Sequence, residues 1–154
     1  MKPTMKHKAI IILLQAAYAA ELETVANYLA NSVWLDGLRA EEVKESLDED
    51  VAEELGHAKK LAQRIKQLGA HPPGSLDLKR TQKTLQPPED STDLRSVIAG
   101  VIEAETGAIA TYKKIIKACD GVDYVTQDLA IENLADEEQH RCLFAGFLKS
   151  LGKR

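Results

Sequence analysis

Glu53-Glu54-Leu55-Gly56-His57 stands in the first half of the 154-residue chain, and Asp136-Glu137-Glu138-Gln139-His140 in the second. In both, a glutamate precedes a histidine by three residues, so on a helix the two side chains share a face, one turn apart. Upstream, Glu21 is followed seven residues later by Tyr28, and Glu105 seven later by Tyr112. Seven residues are nearly two helical turns, which puts each Glu–Tyr pair on one face as well. The tyrosine-to-glutamate gap is 26 residues in the first copy and 25 in the second. A single Glu-x-x-His is common on solvated helix faces, and a lone Glu with Tyr at i+7 carries little information. The doubled pattern with matched spacing is much more specific. It supplies four carboxylates and two imidazoles, the parts of a two-metal centre inside a four-helix bundle. Burying four carboxylates uncompensated would be prohibitive, and two divalent cations neutralise them.

The flanking sequence supplies the helices. All five prolines fall at Pro3, Pro72, Pro73, Pro87 and Pro88, so residues 4–71 and 89–154 contain none. Both stretches are rich in Ala, Leu, Glu, Lys and Gln, which favour helix, and neither alternates as a strand does. Asp36-Gly37 and Asp120-Gly121 break them near their midpoints. The pattern predicts helices over 5–35, 40–69, 92–119 and 124–150. The fold expected is all-α, an antiparallel four-helix bundle forming a single domain over 1–154. Its helix pairs, 5–69 and 92–150, are joined by a long crossover, 70–91. Gly69 is a natural stop for the second helix. Ser91, Thr92 or Asp93 suits the cap of the third helix, and Asp123 that of the fourth. A connection of 22 residues is unusually long and reaches from one end of a bundle to the other. Within it, Leu76 to Leu85 is expected to form a short helix.

The turns check the ligand choice independently. In an antiparallel hairpin, residues at one level have sequence numbers of constant sum. Placing Glu21 level with the midpoint of Glu54 and His57 centres the first turn near residue 38, beside Gly37. The same construction on Glu105, Glu137 and His140 centres the second near residue 122, beside Gly121. The repeat also separates competing acids. Glu53 and His57, at i and i+4, are a workable pair, but the counterpart of Glu53 is the shorter Asp136. Glu138 lies two before His140, on the wrong side of the helix, and Glu23 and Glu103 have no tyrosine seven later. The candidate ligands are therefore Glu21, Glu54, His57, Glu105, Glu137 and His140. His7 and His71 fit no constellation and are expected to be exposed. Trp34 and Leu35 read as core or interface. Gly56 costs its helix about 1 kcal/mol relative to alanine, a sign of close approach by a helix or metal. Cys142 lies two residues past His140. On the same hairpin register Cys119 is about 26 Å away along the axis, which excludes a disulfide within one subunit.

Composition bounds the function. With 44% hydrophobic and 29% charged residues the chain fits one soluble globular domain, and a net charge of −4 argues against a generic polyanion binder. Two cysteines are no disulfide framework and point to a reducing compartment, the cytoplasm. Lys2, Lys6 and Lys8 precede an apolar run from Ala9 to Ala20 that ends in Ala17-Tyr18-Ala19, the grammar of a secretory signal. Gln15 interrupts the run, and the apolar periodicity continues past it. The run is too short to span a bilayer. It is expected to be half of a buried-face helix, with no membrane role.

The doubled Glu-x6-Tyr … Glu-x-x-His pattern, with Asp136 before Glu137, resembles the ferritin-like di-iron carboxylate proteins over about residues 5–150. The spacing of Glu21, Glu54 and His57 is most similar to bacterioferritin and to Dps-like mini-ferritins carrying a bacterioferritin-type site. That resemblance implies two Fe ions per subunit. Glu21 and Glu105 would be terminal ligands, one per metal. Glu54 and Glu137 would bridge, and His57 and His140 would each complete one metal. Tyr28 and Tyr112 would be hydrogen-bond partners of the ligands or redox-active phenols. Bacterioferritins carry a haem-ligating Met where this chain has Leu55, so no Met-ligated haem is expected. Only 14 residues follow His140, little room for the fifth helix of 24-subunit cages, and the long crossover is similar to Dps proteins. The resemblance therefore implies a Dps-like homo-dodecamer rather than a 24-mer. Carboxylate and imidazole ligands with spare positions suit redox-active iron. The activity expected is a ferroxidase: two Fe(II) bind, O2 or H2O2 takes one electron from each, and Fe(III) moves into a cage as mineral. That chemistry would serve iron storage, detoxification and oxidative-stress protection. The alternatives are a rubrerythrin-like di-iron oxidoreductase or peroxidase that stores nothing, and a Dps-type DNA-binding protector using Lys2, Lys6, Lys8 and Lys153-Arg154. The first lacks a Cys-x-x-Cys module here, and ordinary solvated termini are the simpler account of the basic ends. Manganese or zinc suits the same ligands.

Overall fold

The computed structural model describes residues 2–152. Four helices carry the chain: α1 Met5–Trp34, α2 Glu41–Gln67, α3 Leu94–Cys119 and α4 Tyr124–Ser150. All four lie where the sequence places them, with ends shifted by at most two residues. Each end has a local cause. Asp93 and Asp123 accept hydrogen bonds from the amides of Ser96 and Thr126, capping α3 and α4. Thr4 does the same for α1, from the His7 amide. Gly69, at φ +85°, donates to the Lys66 carbonyl while Ala70 donates to Ile65, the paired bonds that close a helix in a left-handed residue. Gly37 and Gly121, also at positive φ, sit in the two tight turns.

The buried positions follow a spacing of three and four. On α1 they include Ile10, Leu14, Ala17, Glu21, Thr24, Tyr28 and Asn31; on α4, Thr126, Ala130, Asn133, Glu137, His140 and Phe144. That spacing keeps one stripe of each helix on the bundle axis. The stripes are apolar at their ends and polar in the middle. Leu35, Val43, Leu47, Leu85, Ile98, Val101 and Phe144 pack one end. Ile10, Leu14, Leu61, Ile65, Ile115, Cys119 and Ala130 pack the other.

The crossover runs along α1 in the direction of α1 itself. Gln15 Nε2 donates to the His71 carbonyl, Asn31 Nδ2 to the Leu85 carbonyl and Trp34 Nε1 to the Pro88 carbonyl. The chain thus returns to the end where α1 finishes, and α3 starts there, antiparallel to α1. The short helix expected over Leu76–Leu85 does not form; a single 3-10 turn, Ser75–Asp77, is the only helical piece among these residues. The reason is competition for donors. The Glu23 carboxylate accepts from the amides of Thr81 and Gln82 at 2.7–2.9 Å, bonds that a helix would have needed. The segment is held instead by Leu85, buried under α3. Gly100 makes that contact possible, because a Cβ there would lie 2.5 Å from the Thr84 carbonyl oxygen. Gly56, by contrast, has nothing within 4 Å of where its Cβ would be, so the close approach expected there is absent within the described residues.

Other expectations are corrected or refined. His7 is half-buried rather than exposed, with its ring against Thr4 Oγ1 at 3.1 Å. His71 is exposed, Trp34 is partly exposed and Leu35 is fully buried. Cys119 is buried, Cys142 is exposed and both are free thiols. Taken whole, α1 is long and apolar enough by length and composition to cross a membrane, which its apolar run alone was not. In the bundle that helix buries Glu21, Thr24, Asn27 and Asn31. Lys153 and Arg154 lie outside the described residues.

Candidate metal centre

Between the two apolar ends, each helix delivers its acid or its acid and histidine to one level. Glu21 comes from α1, Glu54 and His57 from α2, Glu105 from α3, Glu137 and His140 from α4. All six are buried, none more than 5% exposed. Their ligand atoms form two sets of four, each set within 4.8 Å: Glu21, Glu54, His57 and Glu137, and Glu54, Glu105, Glu137 and His140. Glu54 and Glu137 belong to both sets, whereas each terminal Glu and each His belongs to one. His57 Nδ1 lies 3.0, 3.3 and 3.7 Å from oxygens of Glu137, Glu54 and Glu21. His140 Nδ1 lies 3.2, 3.5 and 3.7 Å from oxygens of Glu54, Glu137 and Glu105. The two halves are nearly related by a two-fold axis.

The inward atoms have no hydrogen-bond partners. Both oxygens of Glu54 and of Glu137, Glu105 Oε2, and Nδ1 of both histidines are buried without one. Orphaned buried polar atoms are costly, and seven converging on one point are a donor set that cations would satisfy. The outward atoms are satisfied. His57 Nε2 is 2.9 Å from Asp136 Oδ2, and His140 Nε2 is 3.0 Å from Glu53 Oε2. A carboxylate there holds the proton on Nε2, so once Nδ1 gives up its own proton its lone pair faces the centre, the tautomer a metal needs. Donors of two imidazoles and four carboxylates suit divalent iron, manganese or zinc.

The tyrosines cross between the halves. Tyr28 donates to Glu105, and Tyr112 to Glu21. Each phenol therefore fixes the terminal carboxylate of the other half, not the glutamate seven residues before it. Burial, and then the charges of the facing glutamates, push both phenols well above their usual pKa, so both stay protonated donors. Asn133 Nδ2 adds a bond to the Tyr112 hydroxyl at 3.1 Å.

Protonation splits the acids into two kinds. Burial, reinforced by Glu54 and Glu137, pushes Glu21 well up, and burial pushes Glu105 up to about 9. Burial acts the same way on Glu54 and Glu137, but the histidines and terminal glutamates beside them outweigh it and hold both below the usual range. Burial opposes charge on His57, yet the nearby carboxylates of Glu137, Glu54 and Asp136 raise it to about 10. His140 is raised in the same way, by Glu105, Glu137 and Glu54. Burial pushes Asp50 up to about 7.

Sequence reasoning set aside Glu53 and Asp136 as failed ligands and missed them as partners of the histidines. The signal was present: an acid precedes the glutamate in both copies of the motif. Asp50, whose Oδ1 lies 3.4 Å from His140 Nε2, was not found either. It stands four residues before Glu54 as Asn133 stands four before Glu137.

The sequence pattern of the ferritin-like domain matches residues 11–153. The DNA protection during starvation protein of Pyrococcus furiosus is 30% identical over 145 residues, covering 92% of this chain and 77% of that protein. The bacterioferritin of Brucella melitensis is 30% identical over 132 residues, 85% of this chain and 77% of that one. Among solved structures, the dodecameric thioferritin of Bacteroides fragilis, a bacterioferritin-related protein, superposes with a TM-score of 0.84 at 27% identity. That match covers 97% of this chain and 89% of the other.

Proposed function

This chain belongs to the ferritin-like domain family, and from that premise we propose that it is a ferroxidase, binding two Fe(II) between its four helices and oxidising them with O2 or H2O2. The observation that carries the reading is the pair of four-atom sets that share Glu54 and Glu137. Iron is the substrate. Glu54 and Glu137 bridge the two ions, Glu21 and His57 complete one, and Glu105 and His140 complete the other. With H2O2 the step balances as two Fe(II) plus peroxide plus two protons giving two Fe(III) and two waters. Each iron loses one electron, and the peroxide O–O bond takes both. With O2 the same two electrons and two protons give H2O2.

The protein's own groups position and hold protons. Asp136 and Glu53 keep the histidine rings turned inward, and Tyr28 and Tyr112 steady the terminal carboxylates. The apolar packing at either end excludes bulk water, which strengthens every charge interaction at the centre. Glu54→Ala removes a ligand from both ions at once. Stopped-flow oxidation of Fe(II) by this variant is expected to be at least tenfold slower than wild type. A wild-type rate overturns the bridging assignment.

Fe(III) storage in a dodecameric cage follows from the same reading, favoured by the dodecameric state of the Bacteroides relative. The cytoplasm is the compartment this reading assigns. A DNA-binding role draws on the name of the Pyrococcus relative and on the exposed Lys2, Lys6 and Lys8. A gel shift at low salt tests it: retarded DNA supports the role, and free DNA at high protein excess removes it.

A further inference from the structure

The near two-fold relation between the halves fails at one buried position. Residues 50, 53, 54 and 57 of α2 correspond to 133, 136, 137 and 140 of α4 at a constant offset. The last three pairs match in chemistry: Glu53 with Asp136, Glu54 with Glu137, His57 with His140. The first pair does not, because Asp50 is an acid and Asn133 an amide, both buried. Asn133 bonds the Tyr112 hydroxyl. Asp50 instead places Oδ1 3.4 Å from His140 Nε2, beside Glu53 Oε2 at 3.0 Å, while its Oδ2 is buried with no hydrogen bond. Among the described residues and within 4 Å, the outer nitrogen of His140 thus meets two carboxylates and that of His57 one, Asp136.

We propose that the two metal positions are unequal, and that Asp50 makes the Glu105–His140 position the one that takes the first divalent cation. The inference rests on the reading that the six residues hold two metals. A carboxylate on the far nitrogen of a ligating imidazole makes the near nitrogen a better donor, and removing such a partner weakens metal binding roughly ten- to a hundredfold. A second anion adds direct attraction for the ion. Once that position is filled, its charge opposes the next cation, which separates the two steps further. Filling is therefore ordered, and occupancy of the Glu21–His57 position decides when two electrons are available together. Asp50 acts through His140, as a positioning residue.

The test is an anaerobic Co(II) titration of the full chain at pH 8, followed by visible absorbance. Wild type is expected to bind two equivalents in two resolved steps. Asp50→Asn, an isosteric change, should weaken the first step about tenfold or more and bring the steps together. Single-position variants assign the effect. In the Glu21→Ala background, which leaves the Glu105–His140 position, Asp50→Asn should weaken binding by the same factor. In the Glu105→Ala background it should change binding less than about twofold, by the same reasoning. Asn133→Asp should tighten the second step in otherwise wild-type protein, a gain that general loss of structure cannot mimic. Two indistinguishable steps in wild type, or an Asp50→Asn effect equal in both backgrounds, overturns the proposal. Fewer than two equivalents in wild type overturns the two-metal reading itself.

Discussion

Each imidazole at the centre carries a proton that a metal has to displace. In the metal-free chain His57 and His140 are both raised, so each holds a proton on Nδ1 at neutral pH, while Nε2 keeps its own toward Asp136 or Glu53. Glu21 and Glu105 are raised too and hold one proton each, whereas Glu54 and Glu137 are ionised. Those four protons occupy the place of the four positive charges that two divalent cations bring. Metal binding at pH 7 is therefore expected to release about four protons per chain. The sign follows from the raised values: protons compete most strongly at low pH, so affinity rises as pH climbs toward about 9, the value of Glu105. Unbuffered titration with Zn(II), with the released acid back-titrated, measures the count. Release of one proton or none, with affinity flat between pH 6 and 8, is incompatible with this assignment.

At the scale of elements, the polar stitching between α1 and the crossover sets the path from α2 to α3. Glu23, Asn27, Asn31 and Trp34 are spaced along one side of α1 and each bonds the crossover. The four helices were legible because proline placement, two Asp-Gly breaks and capping residues each act locally. The crossover was not, because Glu23 captures the amides of Thr81 and Gln82 from 58 and 59 residues away, tertiary bonds that outweigh local propensity. Gly100 is the other long-range determinant that local reading passes over. Gly100→Ala should destabilise the fold by about 1–3 kcal/mol, the usual cost of forcing extra volume into a packed contact, despite the better helix propensity of alanine. Urea unfolding followed by circular dichroism reads this directly. A stability equal to or above wild type means that the crossover yields without cost.

For the whole molecule, two apolar ends hold a buried polar middle whose desolvation opposes folding. The buried stripe of glutamates and histidines was legible because the pattern is doubled: Glu21, Glu54 and His57 repeat as Glu105, Glu137 and His140. The crossed phenols and the outer acids were not, because which half a side chain reaches depends on the packing of α1 against α3 and of α2 against α4. Filling the centre adds binding energy to folding. At a hundredfold excess over Kd each site contributes about 2.7 kcal/mol. A domain of this size shifts by about 2–4 °C per kcal/mol. Mn(II) should therefore raise Tm by at least about 5 °C, and a scanning calorimeter that finds no rise shows that the buried carboxylates are compensated in another way. The most direct measurement is the anaerobic titration of metal-free protein with Fe(II), counting tightly bound equivalents per chain. Two equivalents are expected, from two ligand sets sharing Glu54 and Glu137. One equivalent, or none, contradicts the dinuclear centre and with it the ferroxidase reading.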